Sequence, residues 1–169
     1  MGLFLASHVP YSYAEVFVYE QLKQQIEFEE GRKLHVYLCP AGHRTIGIGH
    51  NLDVSPDYNG VPIRDVISDT ECDTLFNADV KHAVDGISAE WLGFKALSPA
   101  RRDAIINMAF QLGVAGVLKF RGMLTALDLK HWQKAHDMAL DSLWAKQTPN
   151  RAKRIAQQLL TGDYYIMPK

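Results

Sequence analysis

Glu30-Gly31-Arg32-Lys33-Leu34-His35-Val36-Tyr37-Leu38-Cys39-Pro40-Ala41-Gly42-His43-Arg44-Thr45-Ile46-Gly47-Ile48-Gly49-His50 is the stretch that decides the fold. Leu34, Val36 and Leu38 alternate with His35, Tyr37 and Cys39, which is strand spacing, and Pro40-Ala41-Gly42-His43 is turn chemistry. Arg44 to His50 then reads as the return strand of a hairpin. Upstream, Ser12-Tyr13-Ala14-Glu15 is a capping box, and Val16, Tyr19, Leu22 and Ile26 keep helical spacing up to Gly31, a natural stop. Downstream, residues 51–67 hold Pro56, Asn59-Gly60 and Pro62, and read as loop with at most one short strand.

A second capping box, Ser68-Asp69-Thr70-Glu71, opens an amphipathic helix whose Cys72, Leu75, Phe76, Val80, Ala83, Val84 and Ile87 share one face. Ser98-Pro99 starts another by cap and first-turn proline, turning Ile105, Met108, Ala109 and Leu112 inward. Two further helical segments span roughly 115–129 and 131–144. Thr148-Pro149 caps a last helix that runs to about Leu160 and stops at Gly162. One hairpin among about six helices is an α+β pattern.

The chain has 169 residues, 47% of them hydrophobic and 22% charged. That length suits one domain with a self-sufficient core, and the composition excludes disorder, coiled coil and low complexity. No apolar run is long enough to span a membrane, and Leu3-Phe4-Leu5-Ala6 lacks the basic flank of a secretory signal. Two cysteines, Cys39 and Cys72, form no disulfide framework and suit a reducing cytosol. A net charge of −1 gives no overall attraction to nucleic acid. The charge is unevenly spread. Residues 1–30 carry Glu15, Glu20, Glu27, Glu29 and Glu30 against Lys23, whereas residues 144–169 carry Lys146, Arg151, Lys153, Arg154 and Lys169 against Asp163. The expected reading is two solvated faces that attract each other.

Glu30 is the first candidate for chemistry. It closes a helix, where exposed carbonyls carry partial negative charge, and Glu29 stands beside it. Such a setting favours the protonated carboxyl that protonating a leaving oxygen requires. Gly47-Ile48-Gly49 is no dinucleotide loop, since no helix opens after it, and it suits a close backbone approach beside a cleft. The seven histidines do not pair at ligand spacing, so neither a metal site nor a cofactor is expected.

Glu30, Cys39 and Thr45, read together with Gln147-Thr148-Pro149-Asn150-Arg151-Ala152-Lys153-Arg154, resemble the phage-type lysozymes, glycoside hydrolase family 24. The family's signature is a Glu, eight residues, an Asp or in some members a Cys, five residues, then a Thr. Asp79-Val80, Ile106-Asn107-Met108-Ala109-Phe110-Gln111 and Thr161-Gly162 add matches in the same order, over about residues 20–165. The resemblance implies an α+β, lysozyme-like fold: a small lobe with the β-hairpin and a larger helical lobe, joined by a long helix near 68–87. Residues 20–169 are then one catalytic domain. Residues 1–19 are an N-terminal extension that lengthens the first helix or packs on the domain.

By the same resemblance, Glu30 is the general acid on the β-1,4 bond between N-acetylmuramic acid and N-acetylglucosamine of peptidoglycan. Thr45 helps position the attacking water. Cys39 stands where many relatives carry Asp, and it can replace a carboxylate only if it ionises. Arg151 faces the acid. Asn107, Phe110 and Gln111 line the cleft, with an aromatic face for a sugar ring and amides for acetamido groups. His50 and Asp79 form a structural ion pair.

The implied protein is an inverting muramidase and a phage endolysin. It acts as a monomer, waits in the host cytoplasm and depends on a holin to reach the wall. A lytic transglycosylase is the nearest enzymatic rival, and a non-catalytic wall-binding or virion module the rival of another class. A cysteine peptidase using Cys39 with His43 or His50 would leave the Glu and Thr spacing as coincidence. A virion-borne lysozyme or a prophage copy would carry the same motifs.

Overall fold

The computed structural model describes residues 13–167, and their side chains from residue 20 onward. The first helix, α1, runs Tyr13–Glu30 and buries Leu22 and Ile26 completely. The expected cap at Ser12 and the role of residues 1–12 lie outside the described residues. Gly31 ends α1 by taking φ +77°, a conformation that costs glycine no Cβ clash.

The strands that follow differ from a two-stranded hairpin. β1 (Lys33–Leu38) pairs antiparallel with β2 (Arg44–Gly47), and β2 pairs in turn with β3 (His50–Asn51). Gly47 at φ +65° and Gly49 at φ +74° turn the chain between β2 and β3, so Arg44 to His50 is two strands and not one. The register shifts between Lys33 and Tyr37. That irregularity breaks the expected alternation: Leu38 is exposed, whereas Tyr37 and Cys39 are half-buried. Residues 51–67, expected to hold one short strand at most, form a second small hairpin of β4 (Asp57–Tyr58) and β5 (Val61–Pro62). Its turn is Asn59-Gly60 with both φ positive, the conformation that a two-residue hairpin loop favours.

The long helix α2 (Asp69–Glu90) starts at the expected capping box: Glu71 N–H donates to Ser68 Oγ, and Ser68 N–H to Glu71 Oε2. Its buried face carries Cys72, Leu75, Phe76, Val80, Ala83 and Ile87. α2 packs on β2 and β3 at one end and on α3 (Pro99–Leu118) further along, so it joins the sheet lobe to the helical lobe. A single continuous core runs through both. Removing Phe76, 1% exposed, would cost about 3–5 kcal/mol.

Beyond α2 the helices are shorter and more numerous than periodicity suggests. A 3-10 turn covers Leu92–Ala96, and α3 carries a non-helical residue, Gly113, inside it. The expected segment 115–129 is the end of α3 plus α4 (Arg121–Asp128), and 131–144 is α5 (Trp132–Leu140) plus the start of α6 (Leu143–Gln147). The last helix, α7 (Pro149–Thr161), ends at Gly162 in the left-handed conformation. Two expected caps work differently. Ser98 makes no side-chain cap bond and its Oγ is buried without a partner, while the Thr148 hydroxyl donates back to Trp144 O. In both helices a first-turn proline removes one of the N–H groups a cap would satisfy.

Candidate active site

Glu30 is presented by the C-terminal end of α1, directly over the β2–β3 turn. A Cβ at Gly49 would come within 3.2 Å of Glu30 Cγ, and its φ of +74° is one that side chains rarely adopt, so glycine suits this close approach to Glu30. From the other side comes Arg151, in the first turn of α7 and 6% exposed. Its Nη1 donates to Glu30 Oε1 at 2.5 Å, its Nε to Asn107 Oδ1 at 3.0 Å and its Nη2 to Asn107 O at 3.0 Å.

A second pair lies alongside. Arg154, one turn further along α7, binds both oxygens of Glu29, with Nη2 at 2.7 and 2.8 Å. The acidic end of α1 and the basic start of α7 do attract each other, but neither face is simply solvated. The side chains of Glu29 and Arg151 are 9% and 7% exposed. The Tyr165 phenol sits 3.5 Å from Glu29 Oε1, and burial together with the Glu29 charge pushes it up to about 12.

Cys39 begins the β1–β2 turn, whose backbone closes through Cys39 N–H to His43 O and Gly42 N–H to Cys39 O. Its thiol is held below the ordinary cysteine range, chiefly by the His43 N–H. Desolvation opposes this, and the backbone of Ala41 and Gly42 and the Thr45 side chain add to it. Thr45, on β2 and 4% exposed, also donates to His43 O at 3.0 Å. A thiol held in this way ionises more readily than a free cysteine.

The expected cleft wall is divided by the structure. Gln111 shares an open pocket of about 430 Å³ with Glu29, Glu30, Asn150 and Arg151, and its Oε1 accepts from Trp144 Nε1 at 2.8 Å. Phe110 is half-buried, its ring 5.5 Å from that of Phe76. Asn107 has no exposed surface, and its oxygen atoms are engaged by Arg151. It stands behind the arginine and not in the cleft. His50, 5% exposed, meets Asp79 through Nδ1 at 2.9 Å and Ser55 O through Nε2 at 2.9 Å, tying β3 to α2.

Comparison with known proteins bears on this arrangement. The family model of the phage lysozymes matches residues 27–159. The chain belongs to the phage lysozyme family. Glu30, Cys39, Thr45, Asn107, Phe110, Gln111 and Arg151 all fall inside the matched span. The chain is 35% identical over 160 residues to the pre-baseplate central spike protein Gp5 of Enterobacteria phage T4, covering 84% of this chain but only 28% of that protein's length. It is 31% identical to a probable T4-type lysozyme of Dictyostelium discoideum, over 83% of this chain and 94% of the relative. An endolysin of Salmonella phage P22 is 32% identical over 124 residues, 72% of this chain and 79% of its own.

Two neighbours of these residues leave little local signal in the sequence. Tyr37 stands directly across β1 and β2 from Thr45, two residues before Cys39, and its phenol is pushed up by burial and by the charges of Glu30 and Cys39. Strand spacing placed it on the Cys39 face, and that was the available signal. The Glu29–Arg154–Tyr165 cluster joins residues 136 apart in sequence. Only charge complementarity hinted at it.

Proposed function

We propose that this phage lysozyme hydrolyses the β-1,4 bond between N-acetylmuramic acid and N-acetylglucosamine in peptidoglycan, with Glu30 as general acid. Glu30 gives its proton to the glycosidic oxygen as the C1–O bond breaks, and positive charge develops at C1. Water, oriented by Thr45, adds its oxygen to C1 from the opposite face. Its proton passes to the Cys39 thiolate and returns through solvent to Glu30, so the net reaction consumes one water and inverts C1. Arg151 orients Glu30, and Gln111 and Phe110 line the sugar path.

The observation that carries this reading is Glu30 at the end of α1, held by Arg151 and facing the open pocket it shares with Gln111. The Cys39 thiol is held below the ordinary cysteine range, chiefly by the His43 N–H, which favours the anion that a base at this position needs. The test is mass spectrometry of soluble products from purified peptidoglycan, with Glu30→Gln alongside. Fragments ending in reducing N-acetylmuramic acid, lost in the variant while the fold persists, are the expected result. Anhydro ends would make the protein a transglycosylase, released peptides would move the chemistry to Cys39, and binding without products would leave a wall-binding module.

The biological setting proposed is that of an endolysin: a monomer held in the host cytoplasm until a holin opens the membrane. No single helix among the described residues is long and apolar enough to cross a membrane. The 35% identity to a central spike protein favours a second setting, in which the domain travels in the virion. Mass spectrometry of purified particles separates the two: the endolysin is absent from them, and the virion enzyme is present in fixed copy number.

A further inference from the structure

Gln111 lines the open pocket that holds Glu30, and one end of its amide is already committed. Its Oε1 accepts from Trp144 Nε1 at 2.8 Å. An indole nitrogen can only donate, so it decides which end of the amide faces it: the oxygen. The indole has little room to move. Trp144 is 4% exposed on α6, and the ring of Phe120 stands edge-on to it at 6.0 Å. Its carbonyl accepts from both the N–H and the hydroxyl of Thr148.

The amide nitrogen is the end left over. Gln111 is exposed two residues before Gly113 interrupts α3, and its Nε2 meets no acceptor among the described residues. With the oxygen turned to the indole, N–H groups are what this side chain has free for a ligand of the pocket. A carbonyl oxygen satisfies such a donor. A protonated amine, which can only donate, does not. An amide turned round to accept from the amine would set its own N–H against that of Trp144 and leave a buried donor unpaired. Both sugars of peptidoglycan carry an acetamido group, and removing its acetyl part replaces the carbonyl acceptor by an amine.

We propose that Trp144 is a positioning residue for Gln111: by holding the amide oxygen it fixes the N–H end as the one offered to substrate, and the site thereby selects N-acetylated over de-N-acetylated glycan. The proposal rests on the reading above, in which Gln111 lines the sugar path. The selection itself is read from binding, without turnover.

The test measures by calorimetry the Kd of tri-N-acetylchitotriose and of chitotriose, its de-N-acetylated form, for the parent, Trp144→Phe and Gln111→Leu. The parent should prefer the acetylated trimer by about tenfold or more, the size of one hydrogen bond gained against one donor left unmet. Trp144→Phe keeps a ring and removes the N–H, so the amide can turn either way and the preference should fall to within about threefold. Gln111→Leu should fall to the same level, and the double variant should lose nothing more, because Trp144 acts through Gln111. The indole N–H signal of Trp144 in a nitrogen–proton NMR spectrum, identified by its loss in Trp144→Phe, should move in Gln111→Leu. Thermal unfolding shows which variants are folded. Should Trp144→Phe not be, benzothienylalanine at position 144 puts sulfur in place of the N–H at nearly the same shape, and the same fall in preference is expected. A parent that binds the two trimers alike, or neither, overturns the proposal. So does a folded Trp144→Phe or benzothienylalanine protein that keeps the parent's preference. A parent that shows the preference but releases no glycan fragments from peptidoglycan overturns the muramidase reading and leaves this one standing.

Discussion

Asn107, with no surface exposed, holds the guanidinium of Arg151 at both Nε and Nη2, so the arm that meets Glu30 has one direction open to it. The planar fork of arginine makes this possible, because fixing two nitrogens fixes the third. Asn107 is therefore expected to act on the acid through Arg151. Asn107→Ala removes the Oδ1 acceptor and leaves a buried donor unpaired, at a cost of about 2–4 kcal/mol. Urea unfolding reads the stability loss and hydrolysis kinetics the effect on Glu30. A destabilised variant with full kcat would show that Arg151 does not need Asn107 in order to serve the acid.

Cys39 gives a pH-dependent prediction. Its thiol is held below the ordinary range by the His43 N–H and its neighbours, so the thiolate persists at lower pH than in a free cysteine. The acidic limb of kcat should lie below the ordinary thiol value of about 8.5. Cys39→Asp should move that limb towards the carboxylate range near pH 4, and Cys39→Ser should lose about 100-fold or more because a hydroxyl does not ionise there. The linkage has a matching sign: a depressed folded value contributes stability above the unfolded thiol value, and that stability is lost as pH falls through the folded one. Equal rates and limbs in all three proteins would make position 39 a bystander.

Local signals carried most of this fold. The Ser68/Glu71 capping box, the apolar face of α2 and the stops at Gly31 and Gly162 depend on residues a few positions apart, and each formed where its spacing set it. The failures share a cause. Arg44 to His50 alternates like one strand, yet Gly49 must pass within van der Waals contact of Glu30, and that tertiary demand bends it into two. Asn107, expected in the cleft wall from the family resemblance, is buried against Arg151, 44 residues away, a contact that no local spacing displays. Glu30, Cys39 and Thr45 were legible as a spacing, but the donors that act on the sulfur were not.

The His50–Asp79 pair should make stability fall as pH rises. Burial pulls the imidazole down, but the Asp79 carboxylate and the Ser55 carbonyl outweigh it, and the net displacement is upward. Both ring nitrogens face acceptors, so the doubly protonated ring satisfies both. A raised folded value means the stabilisation is complete below the unfolded histidine value of about 6.5 and is lost as pH rises through the folded one. Asp79→Asn should therefore cost about 2–4 kcal/mol at pH 5 and clearly less at pH 9, read by urea unfolding at each pH. The same loss at both would mean the pair acts as a neutral hydrogen bond.

Asp103 should act in the same direction for a different reason. It is 1% exposed on α3, and its Oδ2 accepts from the Tyr164 hydroxyl at 2.7 Å. Burial pushes this carboxyl up to about 7, against the weaker pull of Tyr164 and Arg102. Between the ordinary carboxylate value of about 4 and that folded value, the native chain binds more protons than the unfolded one. Stability contributed by Asp103 is therefore present at acid pH and declines as pH rises to about 7, by as much as roughly 4 kcal/mol. Asp103→Asn keeps an acceptor for Tyr164 without a charge. It should match the parent near pH 4 and exceed it by about 1–4 kcal/mol at pH 9, where the parent holds a buried carboxylate. Tyr164→Phe takes away the donor that favours the ionised form, so it should deepen the parent's decline at high pH and leave low pH nearly untouched. Denaturant midpoints for the three proteins at pH 4 and pH 9 decide it. If Asp103→Asn loses stability at both pH values, Asp103 is ionised throughout and its burial is compensated by Arg102 and Tyr164.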